Sequence, residues 1–127
     1  MSIEMICAQH APAVIGPFSH AVKAGDFLFV SGQSGAVPET GRLAGDTLEE
    51  QAQQLMLNMG AVLAEAGADF THAVKVNAYL SDMKYFSAFN AIYDKYFKTK
   101  PARTCIAAKE LPLGILCEVE MIAYLGK

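Results

Sequence analysis

Tryptophan is absent from the 127 residues, cysteine occurs three times, proline five times, and only 18% of the chain is charged. The three cysteines (Cys7, Cys105, Cys117) are odd in number and contain no C-x-x-C pair, which excludes a disulfide framework. Long apolar runs are missing as well. Asn58, Gly60, Glu65 and Gly67 interrupt the richest stretch, so nothing approaches the roughly 18 residues of a membrane span. Positive charge is scarce: the arginines are Arg42 and Arg103, and the formal net charge of -3 gives no general reason to seek phosphate backbones. Nucleic acid is therefore not an expected partner. Lys95, Lys98 and Lys100 form the nearest thing to a basic cluster and read as solvated surface complementing a helix C-terminus. The N-terminus carries Glu4 and no basic region, so a secretory leader is not expected. The reading is a reduced, cytoplasmic protein without a membrane segment.

What is present is apolar residue, 53% of the chain. That excludes disorder, and the length suits one domain over residues 1–127 that buries about two-thirds of its unfolded surface. Thr47 and Glu50 form a capping box. Leu48, Ala52, Leu55, Met59, Val62, Leu63 and Ala66 follow at helical spacing until Gly67. A second helix is expected from an Asp82 N-cap, with Met83, Phe86, Phe89, Tyr93, Tyr96 and Phe97 on one side and Pro101 just beyond. That aromatic stripe reads as core packing. Strand signals lie at 27–31, 74–80, 103–108 and 115–125, with weaker ones at 3–7 and 21–24. The order β, β, β, α, β, α, β, β predicts an α+β domain with two helices on one face of a mixed sheet.

Alternation assigns the faces. Cys117, Val119, Met121 and Ala123 oppose Glu118, Glu120, Ile122 and Tyr124; Val74, Val76, Ala78 and Leu80 oppose Lys75, Asn77 and Tyr79; Thr104, Ile106 and Ala108 oppose Arg103, Cys105 and Ala107. Two helices cover one face. The mixed second face is too apolar for free solvent, and low overall charge points the same way, so burial against other copies of the chain is expected. If 103–108 and 115–125 form a hairpin about Leu111-Pro112-Leu113, Arg103 and Cys105 fall beside Glu118 or Glu120. An arginine, a thiol and a carboxylate on one face would make an anion-binding, proton-handling site; the simpler alternative is a cross-strand ion pair.

Other motifs carry less. Gly32-Gln33-Ser34-Gly35 lacks the Lys-Ser/Thr of a phosphate loop, and Ser31 is not in a G-x-S-x-G elbow. His10, His20 and His72 are widely spaced, match no metal pattern and read as turn or surface residues. No metal, flavin or nucleotide is implied.

The segments 11–19 (Ala-Pro-Ala-Val-Ile-Gly-Pro-Phe-Ser), Val30-Ser31-Gly32-Gln33, Phe89-Asn90-Ala91-Ile92-Tyr93, Pro101-Ala102-Arg103-Thr104-Cys105 and Glu118-Val119-Glu120-Met121-Ile122-Ala123 together resemble the RidA/YjgF family, also described as endoribonuclease L-PSP. The resemblance spans nearly the whole chain in order. It implies a chorismate-mutase-like fold, a homotrimer with clefts between subunits, and hydrolytic deamination of reactive 2-imino acids to 2-keto acids and ammonia without a cofactor. By the same resemblance Arg103 clamps the substrate carboxylate, Glu118 places or activates water, and Cys105, Ser31, Gly32 and Asn90 line the pocket. Phe18 stands where the family pattern has tyrosine, which removes a hydroxyl able to bond water or substrate.

The chemistry suits these residues. A planar carboxylate matches a guanidinium fork, and a carboxylate base can orient and deprotonate water for addition to C=N. Alternatives are a trimer that binds a small carboxylate without turnover, and an RNA-cleaving translation inhibitor, against which the acidic balance and the lack of a histidine pair argue. Chorismate mutase chemistry would want several cations where Arg103 stands alone.

Overall fold

The structure is a computed structural model that describes residues 2–126; Met1 and Lys127, the ends of the expected domain, lie outside the described residues. Six strands form one sheet: β1 (Ile3–Ile6), β2 (Ala21–Ala24), β3 (Phe27–Gln33), β4 (Ala73–Leu80), β5 (Ala102–Ala107) and β6 (Cys117–Tyr124). Their spatial order is β1-β2-β3-β6-β4-β5, antiparallel throughout except that β4 and β5 run parallel. Helices α1 (Leu48–Glu65) and α2 (Phe86–Tyr96) pack together on one face, giving the expected α+β architecture.

Local sequence explains both helices. The Thr47 hydroxyl accepts from Glu50 N at 3.2 Å while Glu50 Oε1 accepts from Thr47 N at 3.2 Å, closing the capping box. At the other end Gly67 turns left-handed (φ 74°), and Ala68 N donates to Leu63 O at 2.8 Å and Gly67 N to Ala64 O at 3.0 Å, the paired bonds of a Schellman motif. Leu55, Met56, Met59, Val62 and Leu63 are fully buried between these caps. Truncating one of them to alanine would cost about 2–5 kcal/mol. Asp82 caps a short 3-10 turn (Met83–Tyr85) that leads into α2, accepting from Lys84 N at 2.8 Å. Because that turn winds three residues per turn, Met83 leaves the expected apolar stripe and is 44% exposed, whereas Ile92 is buried.

Buried amides fasten the loop after β3 onto α1. Asn58 Nδ2 donates to Ser34 O (2.9 Å) and Ala36 O (2.7 Å). Gln51 donates to Gly45 O and accepts from Leu116 N, both at 2.9 Å. Gly35 lies so close to the helix that a Cβ there would come within 2.3 Å of Gln51 O.

Three expectations about the sheet are corrected. The segments 103–108 and 115–125 do not form a hairpin, because β5 and β6 lie on opposite sides of β4. The crossover through α2 makes β5 parallel to β4 and leaves it at the sheet edge. The connection 108–116 instead bridges the end of β4, with Ala108 N bonded to Leu80 O (2.8 Å) and Ser81 N to Leu116 O (3.0 Å). Secondly, the faces of β5 are reversed: Arg103 pairs with Val76 and Cys105 with Ala78, both fully buried under the helices, while Ile106 pairs with Tyr79 on the open face and is 49% exposed. Thirdly, Val74 is the extra residue of a bulge, so Ala73 takes its expected place in the core. The alternation of β6 holds as expected, with Cys117, Val119, Met121 and Ala123 buried.

The open face divides into two ends. One is apolar: Ile3 and Met5 flank Phe27, Phe29 and Tyr124, all exposed, with the Phe27 and Tyr124 rings 5.1 Å apart. The other is polar, carrying Lys75, Asn77, Tyr79, Thr104, Glu118 and Glu120.

Candidate functional site

The site residues expected from the sequence fall into two groups. Phe18, Ser31, Gly32 and Glu118 line a cavity of about 880 Å³ at the polar end of the open face, together with Glu120, His20 and the loop residues Pro112 and Leu113. A bulge shapes its floor. Pairing of β3 with β6 breaks between Val30 and Gln33, so Ser31 turns back to the preceding segment, its N–H bonded to His20 O (2.9 Å) and its hydroxyl to Ser19 O (2.7 Å).

Glu118 enters the cavity because residue 32 has no side chain. A Cβ at Gly32 would lie 2.0 Å from Glu118 Oε2, so the carboxylate occupies the space that any other residue would fill. The carboxyl is half-buried. Burial first, and the neighbouring Glu120 charge second, hold its pKa above the usual carboxylate value. Among the described residues no donor is bonded to it. Glu120 differs: it accepts from the Tyr79 hydroxyl and, at 3.5 Å, from Asn77 Nδ2. That bond to Glu120, with burial, pushes the Tyr79 phenol up to about 12 and keeps it a donor. Phe18 stands at the cavity, 50% exposed.

Arg103, Asn90 and Cys105 form the second group, on the helix-covered side at the β5 edge. Arg103 Nη1 donates to Asn90 Oδ1 at 2.7 Å, and the guanidinium lies 4.7 Å from the Tyr93 ring centroid and 5.7 Å from that of Phe86. Asn90 and Tyr93 are three apart on α2 and so share the face that meets β5. Stacking and the hydrogen bond fix the plane of the fork, and among the described residues no carboxylate pairs with it. Burial raises the Cys105 thiol above its ordinary value, with Arg103 pulling the other way.

The structure therefore does not bring Arg103 and Cys105 beside Glu118 or Glu120 within one chain. Arg103 pairs with Val76 and Glu118 with Tyr79, three residues along β4, hence on opposite faces of the sheet. None of Arg103, Asn90 and Cys105 lines the cavity.

The chain as a whole matches a known family. The sequence profile of the family described as Endoribonuclease L-PSP matches residues 8–125. The chain belongs to the L-PSP family. A RutC family protein of Pyrococcus abyssi is 42% identical over 125 residues, 98% of each chain. Reactive Intermediate Deaminase A, chloroplastic, of Arabidopsis thaliana is 41% identical over 123 residues, 96% of this chain and 66% of its own. Among solved structures, E. coli TdcF with bound serine superposes with a TM-score of 0.91 at 30% identity, covering 97% of this chain and 99% of that one. The resemblance to RidA/YjgF proteins, and the α+β class with two helices on a mixed sheet, are thus established for this L-PSP family chain.

Several residues around the cavity and around Arg103 were not legible in sequence. His20, expected in a turn or at the surface, is buried: its Nδ1 accepts from Ala8 N (2.8 Å), so Nε2 carries the proton toward Pro12 O (2.7 Å). It ties down the segment that walls the cavity. Tyr93, expected as core packing, flanks Arg103, and its buried hydroxyl has no hydrogen-bond partner among the described residues. Tyr79 gave no sign of its bond to Glu120, because β6 joins β4 only through long-range pairing. Among the described residues no three His, Cys, Asp or Glu side chains converge to hold a metal ion, and no helix is long and apolar enough to cross a membrane.

Proposed function

We propose that this protein is a homotrimer that hydrolyses reactive 2-imino acids to 2-keto acids and ammonia, in clefts where Arg103 of one subunit meets Glu118 of the next. The observation that carries the reading is the separation of the two half-sites. A preset guanidinium without a partner carboxylate lies at one sheet edge, and an unbonded, half-buried carboxylate lies in a cavity on the opposite face. The unpaired apolar end of the open face supplies the surface for assembly. One relative is named a reactive intermediate deaminase, and one structural neighbour holds serine, a ligand of the right size and carboxylate chemistry.

In this reading Arg103 receives the substrate carboxylate bidentately, with Asn90 and Tyr93 holding the planar fork in place. Ser31, Gly32 and Cys105 border the bound molecule. Glu118 accepts a proton from water as the water oxygen bonds to the iminium carbon, and the C=N π pair moves onto nitrogen. The neutral carbinolamine then receives that proton on nitrogen, and the C–N bond breaks with its electron pair leaving on ammonia. The hydroxyl proton passes to Glu118 as C=O forms, and Glu118 hands it to the ammonia, which departs as ammonium and leaves the carboxylate ionised for the next turnover. A pKa held above the usual carboxylate value makes Glu118 a stronger base than a free carboxylate, which suits a group that must both take and return a proton. Imines hydrolyse in water unaided, so positioning of water and substrate suffices for useful acceleration.

The test generates an imino acid in situ with an amino-acid oxidase and follows keto-acid release with and without the protein. Acceleration over the spontaneous rate supports the reading; equal rates contradict it. A second reading, a carboxylate-binding trimer without turnover, is favoured by Phe18, which brings no hydroxyl to the cavity. If the wild type is inactive and Phe18→Tyr gains activity, that reading describes the natural protein. Ribonuclease action is disfavoured by the two carboxylates lining the cavity, which repel a phosphate backbone.

A further inference from the structure

Two carboxylates two residues apart on β6 face the same cavity, and their surroundings differ. Glu120 is held by the Tyr79 hydroxyl and the Asn77 amide, whereas Glu118 is unbonded and lies over the bare backbone of Gly32. Alternate residues of a strand project to the same side about 6–7 Å apart, close enough for charges in a half-buried site to influence one another.

We propose that Glu120 is a positioning residue for Glu118: a negative charge fixed by Tyr79 and Asn77 that makes Glu118 the carboxylate of the pair that takes up a proton, where water and the departing nitrogen exchange it. This rests on the imine-hydrolysis reading of the same cavity. Several elements bring groups up to Glu118. From β4 comes Tyr79, an uncharged donor committed to Glu120. From β3 come Ser31, Gly32 and Gln33, all uncharged. From the segment before β2 comes His20, both ring nitrogens of which are committed to the backbone, Nδ1 to Ala8 N and Nε2 to Pro12 O. The bridging loop contributes Pro112 and Leu113. No Lys or Arg of the same chain lines the cavity among the described residues, so Glu120 is the charged neighbour that the chain itself supplies.

The Tyr79 bond decides which partner carries the proton. Two like charges in a partly dry site relieve their repulsion by protonating one of them, and a hydrogen bond donated to an ionised carboxylate favours its ionised form. Glu120 receives such bonds and Glu118 receives none among the described residues, so the hydrogen bonding favours a proton on Glu118. Burial of Glu118 acts in the same direction, and as the larger cause; Glu120 adds to it. Opposed environments on paired carboxylates are the general way that acid and base roles are divided.

The test is a carboxyl-carbon NMR titration of wild type, Glu120→Gln and Glu120→Asp, alongside the pH profile of kcat/KM. In wild type Glu118 is expected to protonate before Glu120 on acidification. In Glu120→Gln the Glu118 titration and the acid limb of kcat/KM both shift to lower pH, and Glu120→Asp, which keeps the charge, restores them towards wild type. An unmoved Glu118 titration in Glu120→Gln overturns the proposal, as does a shifted titration with an unmoved acid limb. Should Glu120→Gln fail to fold, the wild-type titration decides alone, since Glu120 protonating first contradicts the assignment. The titration needs no turnover, so absence of imine hydrolysis in the wild type would defeat the functional reading while leaving this readout intact.

Discussion

Arg103 and Glu118 stand on opposite faces of one sheet: Arg103 pairs with Val76, buried beneath the helices, and Glu118 pairs with Tyr79 on the open side. The proposed substrate, bridging the two side chains, would therefore draw them from different copies of the chain. Each side chain is held in place by its own chain, Arg103 by α2 and Glu118 by the β3 bulge, so the proposed assembly would need only to bring fixed parts together.

Replacing Arg103 by Lys keeps the charge and loses the planar fork, so small 2-keto or 2-imino carboxylates should bind roughly ten- to a hundredfold more weakly, the range of a lost charge-assisted pair. Asn90→Ala, which frees the guanidinium at the 2.7 Å contact, should weaken binding in the same direction by less. Isothermal titration with a keto acid checks both.

Glu118→Gln should abolish imine hydrolysis above the spontaneous rate while ligand binding survives. It should also stabilise the fold at neutral pH. The folded carboxyl binds its proton more tightly than the unfolded one, whose reference value is 4.5, because burial and then Glu120 disfavour the ionised form. Ionised Glu118 therefore opposes folding above its raised pKa, and wild-type stability recovers as pH falls through that value towards 4.5. The Tm of Glu118→Gln should exceed that of wild type at pH 7, with the gap closing near the reference value. The gain should be larger in an Arg103→Gln background, since a guanidinium brought into the cleft offsets part of the penalty.

How much of this was legible in sequence varies with how local the cause is. The Thr47–Glu50 box and Gly67 delimit α1 within a few residues, and the alternation of 117–124 assigns the faces of β6 correctly. The partner of β5 was not legible. Adjacent strands joined by a short connection usually pair, but here α2 carries β5 to the far edge and β6 returns on the other side of β4. That single non-local choice moved Arg103 and Cys105 from the open face to the helix face. The bulge at Val74 and the burial of His20 escaped for the same reason, since each depends on a partner distant in sequence.

Gly32→Ala tests space rather than backbone freedom. Its Cβ would lie 2.0 Å from the Glu118 carboxylate, so Glu118 must rotate out of the cavity. Catalysis should fall by on the order of tenfold or more, as expected for a misplaced base, with global stability little changed. Rates and a melting curve on the same preparation separate this from simple unfolding.

Light scattering should give a trimer of about 41 kDa, three times the 13.6 kDa chain, at micromolar concentration. A charge placed in the exposed aromatic end, Phe29→Glu, should shift the protein towards monomer and remove activity with it, although Phe29 does not line the cavity. Activity retained by a monomer would contradict the assembled cleft.

The most direct measurement mixes two inactive variants. Arg103→Gln and Glu118→Gln chains, co-refolded at equal concentration, pair an intact Glu118 from the first with an intact Arg103 from the second wherever the two adjoin. Random assembly makes about one cleft in four complete, so about a quarter of the wild-type imine-hydrolysis rate should return although neither parent is active. A mixture that forms trimers yet stays as inactive as its parents, beside an active wild type, would contradict a site shared between subunits.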